Sequence, residues 1–122
     1  MKTAIQTTTE LVPYQKFYSD KKFWYKISKF AKHLGAEAIY YILILYYTLL
    51  SPNVSIKNKA IICGALGYLI LPIDLLPDII PVLGFTDDLA AIKLAYDAIK
   101  VSITQEIETQ AKTKVDQWFN EE

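Results

Sequence analysis

Between residues 20 and 35 the chain places apolar and basic side chains with the period of a helix. At 100° per residue, Phe23, Trp24, Ile27, Phe30, Ala31 and Leu34 share one face. Lys21, Lys22, Lys26, Lys29, Lys32 and His33 occupy the other, which is the signature of an amphipathic helix. Ser19 and Asp20 are good cap residues at its start and Gly35 is a good stop. Residues 37–51, EAIYYILILYYTLLS, follow as a second helix closed by Pro52, which cannot continue it. Their apolar residues fill more than a third of the wheel, so this helix is expected to be deeply buried or in contact with lipid. Ser55 is placed to cap a third helix over 55–71. Pro72, Pro77 and Pro81 interrupt the pattern as an elbow over 72–85. Thr86 is a suitable cap for a last helix over 87–119, and Asp87 and Asp88 favour the positive end of its dipole. Its stripe is Leu89, Ile92, Tyr96, Ile99, Ile103 and Ile107, thinning to Ala111, Val115 and Trp118. Such a helix would be roughly 50 Å long and is expected to fray or break.

No strand pattern competes. The sequence predicts an all-α protein, a compact bundle of about four helices (20–35, 37–51, 55–71 and 87–119). Residues 1–15 lack periodicity and read as a flexible arm, leaving 16–122 as a single helical domain.

Composition narrows the class. A chain of 122 residues with 52% apolar content has ample surface to bury, which excludes general disorder. The net charge of zero conceals a split. Residues 1–73 carry nine Lys against three acids, and residues 74–122 carry four Lys against ten. There is no Arg for bidentate base reading, and the acidic half would repel a phosphate backbone, so nucleic acid is not an expected partner. One cysteine, Cys63, excludes an intramolecular disulfide and reads as a small packed hydrophobe. His33 stands alone, suited to complementing a helix C-terminus. No phosphate loop, nucleophile elbow or HExxH string occurs, so no catalytic residue and no cofactor is assigned. The first 15 residues show no apolar core of a secretory signal.

Three relations to a membrane fit the pattern. A span needs about 20 apolar residues, and the second and third helices each offer about 14 uncharged ones by count. The Tyr40–Tyr41 and Tyr46–Tyr47 pairs lie about 9 Å apart along a helix, too close to be the two aromatic belts of a span. The chain is therefore a soluble bundle, a bundle held at a membrane surface, or a tight spanning hairpin of the second and third helices. In the surface reading Lys22, Trp24, Lys26, Lys29 and Lys32 meet the headgroups.

The most specific segment is PIDLLPDIIPVLGFTDD, residues 72–88. Pro72, Asp74, Pro77, Asp78, Pro81, Gly84, Asp87 and Asp88, with Gly67-Tyr68-Leu69-Ile70 before them, resemble the signature of the YkvA-like family, DUF1232, over residues 55–95. The resemblance implies a small bacterial protein, often described as a membrane protein, with no established activity. With the basic N-terminal half, a positive-inside bias puts that helix at the cytoplasmic face of the inner membrane; a soluble cytoplasmic protein is the alternative.

Asp74, Asp78, Asp87 and Asp88 have three readings. They cap helix turns; they converge on a divalent cation that prefers oxygen ligands; or they serve a proton or ion path at membrane depth. The leading functional expectation is a non-enzymatic, membrane-associated interaction or accessory module. Lipid is its expected partner, and a protein partner is an option. One alternative is a divalent-cation-binding or ion-dependent enzyme working through the aspartates. Another is a soluble homo-oligomer paired through the last helix.

Overall fold

A computed structural model describes the backbone of residues 7–75 and 81–119, with the side chains of 71–75 and 81–88 outside that description. Among the described residues there are five α-helices: α1 (Thr8–Leu11), α2 (Asp20–Leu50), α3 (Ile56–Leu75), α4 (Pro81–Ile99) and α5 (Gln105–Phe119). Short 3₁₀ segments lie at Val12–Phe17 and Lys100–Ser102, and no strand occurs among these residues. The all-α class and the helical bundle are as the pattern predicts.

The first two predicted helices are joined by a single residue. Within α2, Gly35 has φ 89° and ψ 158°, a region open essentially to glycine alone. The halves 20–34 and 36–50 fold back on each other there. Phe23 stacks on Tyr46 with ring centroids 4.8 Å apart and planes 7° from parallel. Trp24 meets Tyr46 edge-on at 5.0 Å, and its Nε1–H donates to the Tyr46 hydroxyl at 3.3 Å. A straight helix would hold positions 23 and 46 about 35 Å apart. Ser19 starts α2 as expected, its hydroxyl accepting from the Lys22 N–H at 3.1 Å.

The half 36–50 is the centre of the bundle. Ile39 and every residue from Ile42 to Tyr46 are buried, so the middle of this helix is enclosed on all sides, as an all-round apolar stretch must be. Thr48, also buried, donates its hydroxyl to the Ile44 carbonyl at 2.7 Å, which removes the penalty of burying it. α3, α4 and α5 pack around α2. α5 buries Ile107, Ala111 and Val115, and its Trp118 docks edge-on against Trp24 at 6.0 Å.

Residues 7–18 are more ordered than their composition suggests. Thr7 and Glu10 form a reciprocal capping box that starts α1, the T-x-x-E pattern within what reads as an arm. Leu11 is fully buried. Residues 11–18 lie along α3, where Gly64 and Gly67 leave room for them. A methyl group on Gly64 would overlap the Leu11 carbonyl, and one on Gly67 the Tyr14 carbonyl. The two glycines thus admit this strap rather than a neighbouring helix.

Helix ends also depart from expectation. α3 continues through Pro72 to Leu75. α4 begins at Pro81, a residue suited to a first helical position. Thr86 therefore does not cap it; Thr86, Asp87 and Asp88 lie inside the helix. The predicted helix over 87–119 breaks at Lys100–Ser102, next to the β-branched Val101, Ile103 and Thr104, which are weak helix formers. Thr104 then caps α5, accepting from the Ile107 N–H at 3.2 Å. Residues 76–80 of the elbow lie outside the described residues.

Gly35 gives a test in which the sign decides. In a continuous helix, Gly35→Ala would stabilise by about 1 kcal/mol. At a reversal with positive φ it is expected to destabilise by about 1–3 kcal/mol, measured by urea unfolding. Gly64→Ala is expected to cost about 1–3 kcal/mol through overpacking against Leu11.

Candidate functional site

The outer face of residues 20–34 is basic. Lys21, Lys22, Lys29 and Lys32 are exposed, and Tyr25 among them is 56% exposed. The Lys29 ammonium lies 5.3 Å from the centre of the Tyr25 ring and donates to its hydroxyl at 3.2 Å. His33 is exposed, with its ring edge-on to Phe30 at 6.3 Å. The apolar face of the same half, Phe23 and Ile27, is fully buried in the protein's own core.

Two residues assigned to the membrane-facing set are elsewhere. Trp24 packs among Phe23, Tyr46 and Trp118, with Lys114 over its ring at 5.8 Å, and is no free interfacial anchor. Lys26 is 1% exposed, and its Nζ donates to the main-chain carbonyl of Leu69 on α3. Pro72 has no N–H, so the Tyr68 carbonyl lacks its ladder donor, and Lys26 meets the carbonyl of the next residue, Leu69. Lys26 therefore ties the basic half of α2 to the turn of α3 that leads into the Pro- and Asp-rich segment.

The four aspartates are only partly placed. Asp74 lies in the last turn of α3, and Asp87 and Asp88 in the second turn of α4. Asp78 and the side chains of the other three lie outside the described residues, and with them the expected convergence on a cation. Among the described residues, no group of three or more His, Cys, Asp or Glu side chains gathers as a metal site would require.

Burial pushes the Cys63 thiol above its ordinary range, and the charge of Asp20 adds to this. Little thiolate forms near neutrality, so nucleophilic chemistry is disfavoured. The Tyr18 phenol is raised by burial and by its hydrogen bond to the Asp20 carboxylate.

A groove of about 730 Å³ runs between α4 and the start of the 36–50 half, with Gly35 at its end. Leu34, Ala38, Tyr41, Leu89, Ile92 and Tyr96 line it. Tyr41 and Tyr96 meet edge-on at 4.9 Å. Glu37, Lys93, Asp97 and Lys100 also border it. No sequence pattern announces this groove, because its walls come from two separately coded helices.

Fold and site define a small all-α protein around a folded-back apolar helix, with a Pro- and Asp-rich segment between α3 and α4. Residues 58–94 match the family described as "Protein of unknown function (DUF1232)", the family that the segment over 72–88 resembles. The chain is 35% identical over 54 residues to the uncharacterized membrane protein YkvA of Bacillus subtilis (strain 168). That alignment covers 44% of this chain and 51% of YkvA, so the chain spans about half the length of the curated relative it matches. No solved structure matches.

Lys26→Met retains most of the stem but removes the donor. It is expected to destabilise by about 1.5–3 kcal/mol, through loss of a buried hydrogen bond from a charged donor, in chemical unfolding. Lys22→Gln and Lys29→Gln, both exposed, should stay within about 0.5 kcal/mol. Equal effects at all three positions would contradict the docking of Lys26. Cys63 should alkylate more slowly at pH 8 than an unhindered thiol, and its rate should still be rising with pH where a free thiol has levelled off.

Proposed function

We propose that the chain is a non-enzymatic accessory module held at the cytoplasmic surface of the bacterial inner membrane through the basic face of residues 20–34. The observation that carries this reading is the division of labour within that half. Its apolar stripe is spent on the core, while Lys21, Lys22, Lys29 and Lys32 face outward beside the exposed Tyr25. Each lysine near an anionic leaflet contributes about 1 kcal/mol, and Tyr suits the headgroup level. The likeness to a protein named as a membrane protein supports the same placement. The N-terminal half would face the cytoplasm because anionic lipid and positive-inside bias favour it there.

The contact differs from the one the helical wheel suggests. An interfacial helix buries its apolar face in lipid, but here that face is occupied by Tyr46 and its neighbours. Attachment is therefore electrostatic and peripheral. α2 is the one helix among the described residues long and apolar enough to cross a membrane by length and composition. Folded at Gly35, each half reaches only about 22 Å, short of the roughly 30 Å hydrocarbon core. Spanning would require the hairpin to open and its aromatic contacts to be lost.

Sedimentation with vesicles tests the proposal. The protein should pellet with phosphatidylglycerol-containing vesicles at low salt and not with phosphatidylcholine alone. It should be released as salt rises toward about 1 M, where the screening length falls to about 3 Å. Replacing Lys21, Lys22, Lys29 and Lys32 with Gln should weaken binding by at least about tenfold. Retention through an alkaline carbonate wash would overturn peripheral attachment in favour of insertion. Indifference to vesicle charge would overturn the membrane role.

A further inference from the structure

We propose that the loop between α2 and α3 dips its two exposed apolar side chains, Leu50 and Ile56, into the acyl boundary of an anionic bilayer. This rests on the membrane-surface reading and deepens it, adding a shallow apolar contact to the electrostatic one. Three observations converge.

First, the loop presents apolar surface that the fold does not use. Leu50 is 57% exposed and Ile56 is 87% exposed. They close α2 and open α3, and Pro52 between them is exposed as well. The loop is built rather than loose. Val54 is buried, the Asn53 N–H donates to the Ser51 hydroxyl at 3.4 Å, and the Asn58 N–H donates to the Ser55 hydroxyl at 3.1 Å. Satisfied N–H groups lower the cost of bringing this backbone toward an apolar medium.

Second, the charge at the loop suits anionic headgroups. Lys57 is exposed directly after Ile56, and Lys59 is half-buried. No Asp or Glu occurs between Glu37 and Asp74. Apolar side chains that enter the boundary beside lysines kept at headgroup level make an interfacial contact. The core of a protein–protein interface is instead depleted of lysine, which favours lipid over a protein as the occupant.

Third, the loop shares one end of the bundle with the start of the lysine face. Phe23 stacks on Tyr46, and Tyr46 is only about 6 Å along the helix from Leu50. Lys26 reaches the Leu69 carbonyl, and six residues earlier on each element the Asp20 charge acts on Cys63. The first half of α2 therefore runs alongside α3 in the same direction, with Lys21 and Lys22 toward the α3 start. The described acids toward this end, Glu10, Asp20 and Asp116, are outnumbered by Lys21, Lys22, Lys57, Lys59 and Lys114. A protein resting on the lysine face at this end brings the loop to the lipid.

Val101 supplies the control. It is 95% exposed, but its neighbour Lys100 borders the groove at Gly35, the opposite end of the 36–50 half. Ile56→Cys and Val101→Cys, each in a Cys63→Ala background and labelled with nitrobenzoxadiazole, are titrated with phosphatidylglycerol-containing vesicles. The label at position 56 should brighten and shift to the blue, and the label at position 101 should not. Leu50→Ser with Ile56→Ser, at exposed positions, should weaken vesicle affinity at least about tenfold with an unchanged melting temperature. Even one acyl chain anchors a protein only marginally, so two side chains leave the release at high salt intact. A silent label at position 56 on protein that pellets with vesicles, or undiminished affinity of the folded double-serine protein, would overturn the loop contact and leave the electrostatic attachment standing. Shielding of that label without vesicles, rising with protein concentration, would overturn it in favour of a second copy of the chain. Failure of the unaltered protein to pellet with anionic vesicles would overturn the membrane reading and the loop contact together. The labels decide the matter even if the double-serine protein does not fold.

Discussion

The reversal of α2 at Gly35 is the constraint on which the rest of the structure depends. A φ of 89° is nearly free for glycine and strained for any other residue, so a single position turns 31 residues back on themselves. Once turned, Phe23 and Trp24 reach Tyr46. The apolar stripe of the first half then has a partner within its own helix, and the second half becomes a core element around which α3, α4 and α5 assemble. The same event turns the lysines outward. A straight α2 would present a long apolar surface to its surroundings; the folded one presents a basic face.

Much of this architecture was legible in local chemistry. Ser19, Gly35, Pro52 and Ser55 mark helix ends through cap and breaker effects that act within a few residues, and those ends lie where these residues predict. The break between α4 and α5 was hidden because the apolar stripe runs on through Ile99, Ile103 and Ile107 across the interruption. Period alone registers continuity of a face, whereas Val101, Ile103 and Thr104 carried the local signal for a stop. Thr7 and Glu10 likewise carried a capping box inside a Thr-rich run that reads as loose chain.

The candidate site was less legible, for a different reason. A helical wheel ranks positions by their place on one helix and knows nothing of neighbours. It put Lys26 with the outward lysines, although that side chain is buried against α3 and donates to the Leu69 carbonyl. Trp24 was displaced from the interface by the same omission, since Tyr46 and Trp118 come from distant parts of the chain. The groove beside Gly35 is lined jointly by α4 and the 36–50 half, a property of tertiary geometry. The aspartates of the family segment were plain as a motif, but Asp74 lies within α3 and Asp87 and Asp88 within α4, so they do not mark the helix ends there.

A distance across α2 tests the folded-back helix most directly. In a Cys63→Ala background, nitroxide labels at Lys22→Cys and Leu50→Cys occupy exposed positions, Leu50 being 57% exposed. Pulsed electron spin resonance on the protein in solution and on anionic vesicles should give a separation below about 25 Å, because packed helix axes lie about 8–10 Å apart. A separation near about 42 Å, the span of 28 residues in one straight helix, would contradict the reversal at Gly35 and the peripheral attachment derived from it.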